Sequence, residues 1–153
     1  MEKQKYAAIV LAAGSGKRMN SKVHKQYLII QNRPVLYYSL KAFEDSAVDE
    51  IVLVVGKGEE KFCRKEIVDK YGISKVKAIV EGGKERYHSV FEGLKQTSDA
   101  DYVLIHDGAR PFISERIINE GIKFAEIYGA AAPGVMPKEI SGMCCWYAGE
   151  RYH

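Results

Sequence analysis

The sequence predicts an α/β fold in three layers, with helices on both faces of an open, mostly parallel sheet. Two observations carry this expectation. Four short runs rich in apolar and β-branched residues recur along the chain, and stretches with helical spacing fall between them. The runs are nearly continuous in apolar residues rather than alternating, as expected of strands buried on both faces of a parallel sheet. With 153 residues, 46% of them hydrophobic, the chain has the size of one domain with one ordinary core.

The first run, Tyr6 to Ala13, leads into a glycine loop. Pro34 then opens a helix where a missing N–H costs little, and Val35, Leu36, Ser39, Leu40 and Phe43 fall on one of its sides. The second run, Glu50 to Gly56, precedes a helical stretch from Glu59 to Tyr71. The third, Val76 to Val80, precedes Glu85 to Gln96, and the fourth, Asp101 to His106, precedes Ser114 to Tyr128 with Ser114 as a good N-cap. This alternation implies right-handed crossovers. Ligands of such folds sit at the carboxyl ends of the strands, so the residues just after each run are where chemistry is expected.

Composition narrows the function classes. The 23 basic and 20 acidic residues are mixed along the chain, without the basic block of a dedicated nucleic-acid binder. No stretch approaches the roughly 18 apolar residues of a membrane span, and Met1 to Lys5 is polar, unlike an export signal. Cys63, Cys144 and Cys145 form neither a disulfide framework nor a metal-ligand spacing, which favours a reducing cytoplasm.

After the first strand comes Leu11-Ala12-Ala13-Gly14-Ser15-Gly16-Lys17-Arg18-Met19, then Lys25-Gln26. Small residues at Ala12, Ala13, Gly14 and Gly16 let backbone N–H groups approach a polyphosphate, while Lys17, Arg18 and Lys25 supply positive charge. It is not a Walker A loop, because Leu11 stands at the first glycine position and Arg18 at the Ser/Thr position. Nor is it a dinucleotide fingerprint, since Met19 occupies the third glycine position. The bland alternative is a glycine turn with solvated lysines.

The third strand ends in Glu81-Gly82-Gly83-Lys84-Glu85-Arg86-Tyr87-His88-Ser89. Glycines running directly into a helix start point free N–H groups toward a ligand, and Ser89, one turn in, points back toward the helix mouth. A plain strand-to-helix turn, with Glu85 favouring the helix dipole, is the competing reading. His88 reads as a surface or packing histidine. After the fourth strand comes His106-Asp107-Gly108-Ala109-Arg110-Pro111. An aspartate at a strand tip suits Mg²⁺, which takes one or two carboxylates and leaves its other positions to water and phosphate. Arg110 either clamps phosphate or pairs with Asp107.

Taken together, LAAGSGKRM, KQYL, GGKERYHSV and HDGARPF resemble the 2-C-methyl-D-erythritol 4-phosphate cytidylyltransferases of the non-mevalonate isoprenoid pathway, from about Tyr6 to about Pro137. The resemblance implies a Rossmann-like three-layer nucleotidyltransferase fold whose C-terminal part is missing here. It also implies a homodimeric, Mg²⁺-using enzyme that transfers CMP from CTP to a sugar-alcohol phosphate. By the same resemblance Arg18 and Lys25 stabilise the reaction centre, Gly83, Lys84 and Ser89 recognise cytosine, and Asp107 binds the metal.

The chain divides, on this reading, into an incomplete nucleotide-binding domain over 1–138 and a divergent tail over 139–153. The tail holds the sole tryptophan and two of the three cysteines where the family pattern runs on toward an Asp-Thr pair, which suggests a frameshift or a truncated gene. The family's dimerisation arm and acceptor-phosphate groups lie in the missing part, so CTP binding with weak or absent transfer is expected. Ribitol-5-phosphate cytidylyltransferase is the nearest rival enzyme, and a CTP-binding remnant without turnover is the non-enzymatic alternative. A nicotinamide-dependent dehydrogenase fits the element order but lacks an acidic ribose ligand after the second strand, where Gly56-Lys57-Gly58 sits.

Overall fold

A computed structural model of the chain describes residues 3–14 and 24–135. The proposed boundary at 138 and the tail over 139–153 lie outside the described residues. Among the described residues, four parallel strands build the sheet: β1 (Tyr6–Ala12), β4 (Glu50–Val55), β5 (Val76–Glu81) and β6 (Tyr102–Asp107), in the spatial order β5-β4-β1-β6. Each was legible as an apolar run, displaced by a residue at most at either end. The strands differ in depth. β4 is buried throughout and β1 nearly so, whereas β5 and β6 are half-buried because each is an edge of the described sheet.

The alternation of side chains along β1 separates two cores. Ala8, Val10 and Ala12 face one cluster with Leu36, Leu40 and Phe43 of α1 (Val35–Glu44) and with Ile118 and Ile122 of α4 (Glu115–Tyr128). Ile9 faces the other way, with Val52 and Val54, toward α3 (Arg86–Leu94). Leu36, Leu40, Phe43 and Leu53 are fully buried, and each such side chain contributes roughly 1.5–3 kcal/mol of hydrophobic stabilisation. The five α1 residues expected to share a side are all buried, joined by Tyr37 under the Arg33 guanidinium, 4.6 Å from the ring centre.

Two departures from the sequence expectation stand out. A small antiparallel hairpin, β2 (Ile29–Ile30) with β3 (Arg33–Pro34), precedes α1. Its turn places Gln31 and Asn32 at φ of 47° and 64°, a left-handed pair usually marked by glycine. The helix after β4 begins as α2 (Glu60–Cys63) and widens into a π-type segment over Arg64–Asp69.

The order of the strands fixes where a ligand can sit. From β1 the chain crosses to β4 and β5 on one side, then returns past β1 to β6 on the other. The connections therefore diverge between β1 and β6, and a crevice opens at their carboxyl ends.

Candidate active site

That crevice is a cleft of about 670 Å³, lined by the ends of β1, β5 and β6 and by the segment after the glycine loop. Nine of the sequence-predicted site residues are described. All nine, Ala12, Ala13, Gly14, Lys25, Gly83, Lys84, Ser89, Asp107 and Arg110, line it together. Gly16 and Arg18 fall outside the described residues. The volume suits a nucleotide-sized ligand.

Each wall has a local cause. On the β5 side, Gly82 continues the sheet by donating its N–H to the Val55 carbonyl at 2.8 Å. A Cβ there would stand 2.5 Å from both Ala13 Cβ and Ser89 Oγ, so only glycine lets the β1 and β5 ends meet α3 this closely. The loop expected to offer unengaged N–H groups uses two of them internally. Gly83 N–H donates to Ser89 Oγ at 3.2 Å, and Glu85 N–H donates to the His88 ring at 3.3 Å. Glu85 accepts in return from the backbone of His88, a reciprocal cap that fixes the first turn of α3. His88 thus serves the helix start, not a ligand. Ser89 is 4% exposed, and its hydroxyl organises the loop from beneath.

On the β6 side, Gly108 N–H donates to the Leu11 carbonyl at 2.8 Å, which locks the two strand tips together. Ser39, on α1, braces the same turn by donating to the carbonyls of Gly108 and Arg110 at 3.1 Å. Asp107 is held between two arginines. Arg86 Nη2 lies 3.0 Å from its Oδ1, and Arg110 Nε lies 3.3 Å from its Oδ2. The Arg110 contact matches one of the two sequence expectations for that residue, whereas the Arg86 contact carries no local sequence signal. Both pairs are partly exposed, so each stabilises by about 1 kcal/mol or less and yields readily to a competing ligand.

Lys25 enters from a short turn, Lys25–Tyr27, whose middle residue is the anchor. Gln26 is 3% exposed, and its amide donates to the Ala12 carbonyl at 2.7 Å and to the Gly14 carbonyl at 3.3 Å. A buried polar side chain of this kind needs its hydrogen bonds, and these tie the lysine to the end of β1. The Lys25-Gln26 motif alone does not reveal this anchoring role of Gln26.

Among the described residues, Lys25, Lys84, Arg86 and Arg110 line the cleft with Glu85 and Asp107 as the lining acids, so this part of the lining is net cationic. Four cations against two carboxylates suit a polyphosphate. Among the described residues no cluster of three or more His, Cys, Asp or Glu side chains could form a metal cage. Asp107 alone, at a strand tip in a cationic cleft, fits an ion that takes one protein carboxylate and completes its shell with phosphate and water.

Residues 6–139 match the family described as 2-C-methyl-D-erythritol 4-phosphate cytidylyltransferase. The chain is 54% identical over 133 residues to the 2-C-methyl-D-erythritol 4-phosphate cytidylyltransferase of Clostridium kluyveri, covering 86% of this chain and 58% of that relative. It is 53% identical over 136 residues to the protein of that name from Lachnoclostridium phytofermentans, covering 89% and 58%. Among solved structures it resembles the 4-diphosphocytidyl-2C-methyl-D-erythritol synthase of Anaerococcus prevotii, with a TM-score of 0.65 and 35% identity over 78% of this chain and 50% of that one. The chain spans a little under three fifths of the length of these curated relatives. These matches do not favour the ribitol-phosphate reading.

Proposed function

Since the chain belongs to the 2-C-methyl-D-erythritol 4-phosphate cytidylyltransferase family, we propose that its cleft binds CTP and serves transfer of CMP to 2-C-methyl-D-erythritol 4-phosphate, with release of pyrophosphate. One observation carries the reading: Lys25, Ser89 and Asp107, from three separate segments, converge on a single cationic cleft at the switch point of the sheet.

The charge of the reactants dictates what the protein must supply. An acceptor phosphate oxygen is already anionic near neutral pH, so it attacks the α-phosphorus without a dedicated base. What opposes it is repulsion from the triphosphate. Lys25, with Arg110 and with Arg18 of the glycine loop, draws charge from the α-phosphate oxygens and the departing pyrophosphate, in an in-line displacement governed by positioning and electrostatics. The cytosine sits toward Gly83, Lys84 and Ser89, which line the cleft on the β5 side. Asp107 would hold Mg²⁺, which supplies charge neutralisation across the phosphates when bound.

The second reading is the non-enzymatic one, CTP binding without turnover. A homodimer and a cytoplasmic setting belong to the first reading; no helix among the described residues is long and apolar enough to cross a membrane. Calorimetry of CTP with Mg²⁺, followed by a pyrophosphate-release assay with the acceptor, separates the cases. Saturable binding with release supports transfer. Binding without release supports the second reading, and no binding removes both.

A further inference from the structure

We propose that Glu59 is a positioning residue for Lys25: its carboxylate clamps the turn that carries the lysine against the loop after β4. The proposal rests on the reading of the cleft given above, in which Lys25 contacts the triphosphate. Glu59 follows Gly56-Lys57-Gly58, so it stands near where a dehydrogenase would place an acidic ribose ligand. Its oxygens are committed elsewhere.

Tyr27 Oη donates to Glu59 Oε2 at 2.7 Å, and Gly56 N–H donates to the same oxygen at 3.0 Å. His24 Nδ1 lies 3.1 Å from Oε1. The carboxylate therefore grips the residues on both sides of Lys25-Gln26, while Gln26 holds the other side of the turn to β1. Gly56 makes room for it, because a Cβ there would stand 2.8 Å from Glu59 Oε2. Tyr27 also packs edge-on against Phe62, with ring centres 5.3 Å apart, and its hydroxyl lies 3.1 Å from Cys63 Sγ. Burial pushes the Tyr27 phenol up and the Cys63 thiol up to about 11, so both stay protonated and the carboxylate is the acceptor the phenol needs.

The consequence is mechanical. With the turn held at Gln26 alone, the Lys25 backbone could pivot about that one side chain. With the Glu59 clamp on the flanking residues, it has no such freedom, and the ammonium group meets the ligand with its position already fixed. Glu59 is not among the described residues that line the cleft, so it acts through Lys25.

The test is a double-mutant cycle read as CTP affinity, by calorimetry with Mg²⁺ on the full chain. Glu59→Gln and, independently, Tyr27→Phe should each weaken binding by about five- to ten-fold. In a Lys25→Ala background the same changes should add less than about two-fold, because the residue through which they act is gone. Where the parent chain binds CTP, equal weakening in both backgrounds, or none in either, overturns the action through Lys25. Amide exchange decides the clamp separately from the identity of the ligand. The Tyr27 and Leu28 N–H groups, bonded to the His24 and Lys25 carbonyls at 2.9 and 3.3 Å, should exchange at least about ten-fold faster in Glu59→Gln while β4 amides keep their rates. Unchanged exchange at Tyr27 and Leu28 overturns the clamp even if CTP binds, and accelerated exchange supports it even if CTP does not.

Discussion

Arg86 Nη2 lies 3.0 Å from Asp107 Oδ1, pairing the first residue of α3 with the last residue of β6 across the mouth of the cleft. The pair joins the elements expected to hold the base and the metal. It also means that a cation arriving at Asp107 meets a guanidinium already there. Removing that guanidinium makes the local potential more negative. Arg86→Ala is therefore expected to tighten Mn²⁺ binding in the absence of nucleotide by roughly two- to five-fold, the size of a partly exposed ion pair. In the presence of CTP the same variant should bind nucleotide more weakly, since one of the cleft's cations is lost. Mn²⁺ titration followed by electron paramagnetic resonance, with and without CTP, reads both effects. Weaker metal binding in the nucleotide-free variant would show that Arg86 orients Asp107 rather than competing for it.

How much of this was legible in the sequence follows from what each feature depends on. Strands buried on both faces betray themselves as apolar runs, so β1, β4, β5 and β6 could be placed to within a residue. The rule that chemistry follows the strand ends then gathered Lys25, Ser89 and Asp107 without knowledge of the strand order. The hairpin at Ile29–Pro34 escaped because its turn uses Gln31 and Asn32, where a glycine would have announced the left-handed conformation. The Arg86–Asp107 pair and the Glu59–Tyr27 clamp escaped for another reason. They join residues 21 and 32 positions apart, and only the sheet order brings them into contact. Motif reading locates ligand-facing groups; it says little about the residues that hold them.

Gly82 offers a sharp steric test of the cleft. A methyl group at this position would overlap Ala13 Cβ and Ser89 Oγ, each 2.5 Å away, and neither neighbour is the far end of a flexible chain. Gly82→Ala must therefore push the β5 end away from β1 or displace Ser89, whose hydroxyl receives the Gly83 N–H. Destabilisation of about 1–3 kcal/mol is expected, typical of overpacking. CTP affinity should fall with it. Urea unfolding gives the first quantity and calorimetry the second. A variant with unaltered stability would mean that the strand ends are not packed as tightly as the contact requires.

Lys25 carries the largest expected catalytic effect. Its ammonium group is carried by a turn fixed to β1 through Gln26, so an alanine leaves the backbone in place and removes the side chain with its charge. Where the pyrophosphate-release assay detects turnover, Lys25→Ala should lower it by about two to three powers of ten, the usual size of a lost oxyanion contact, with a smaller change in KM for CTP. Arg18→Ala is expected to act similarly from the glycine loop. Near-wild-type turnover in either variant removes that residue from the mechanism.

The far end of the sheet holds one carboxylate whose ionisation stabilises the fold. Asp49, just before β4, accepts the Tyr6 N–H on Oδ2 at 2.9 Å, and its own N–H returns a bond to the Tyr6 carbonyl at 2.9 Å, so the starts of β1 and β4 are tied reciprocally. The Tyr6 N–H, with Lys3 Nζ 3.0 Å from Oδ1, holds the Asp49 carboxyl below the ordinary carboxylate range. A folded-state value depressed in this way contributes stability that is fully present above the unfolded value of about 3.9 and is lost as pH falls through the folded one. Asp49→Asn should accordingly be less stable than the parent by about 1 kcal/mol at neutral pH. The difference should shrink as pH falls below the unfolded value and close only once the parent's depressed folded-state carboxyl is protonated as well. Urea denaturation at a series of pH values measures the gap directly. A gap that stays constant into acid would assign the effect to hydrogen-bond geometry at the strand start rather than to the charge of Asp49.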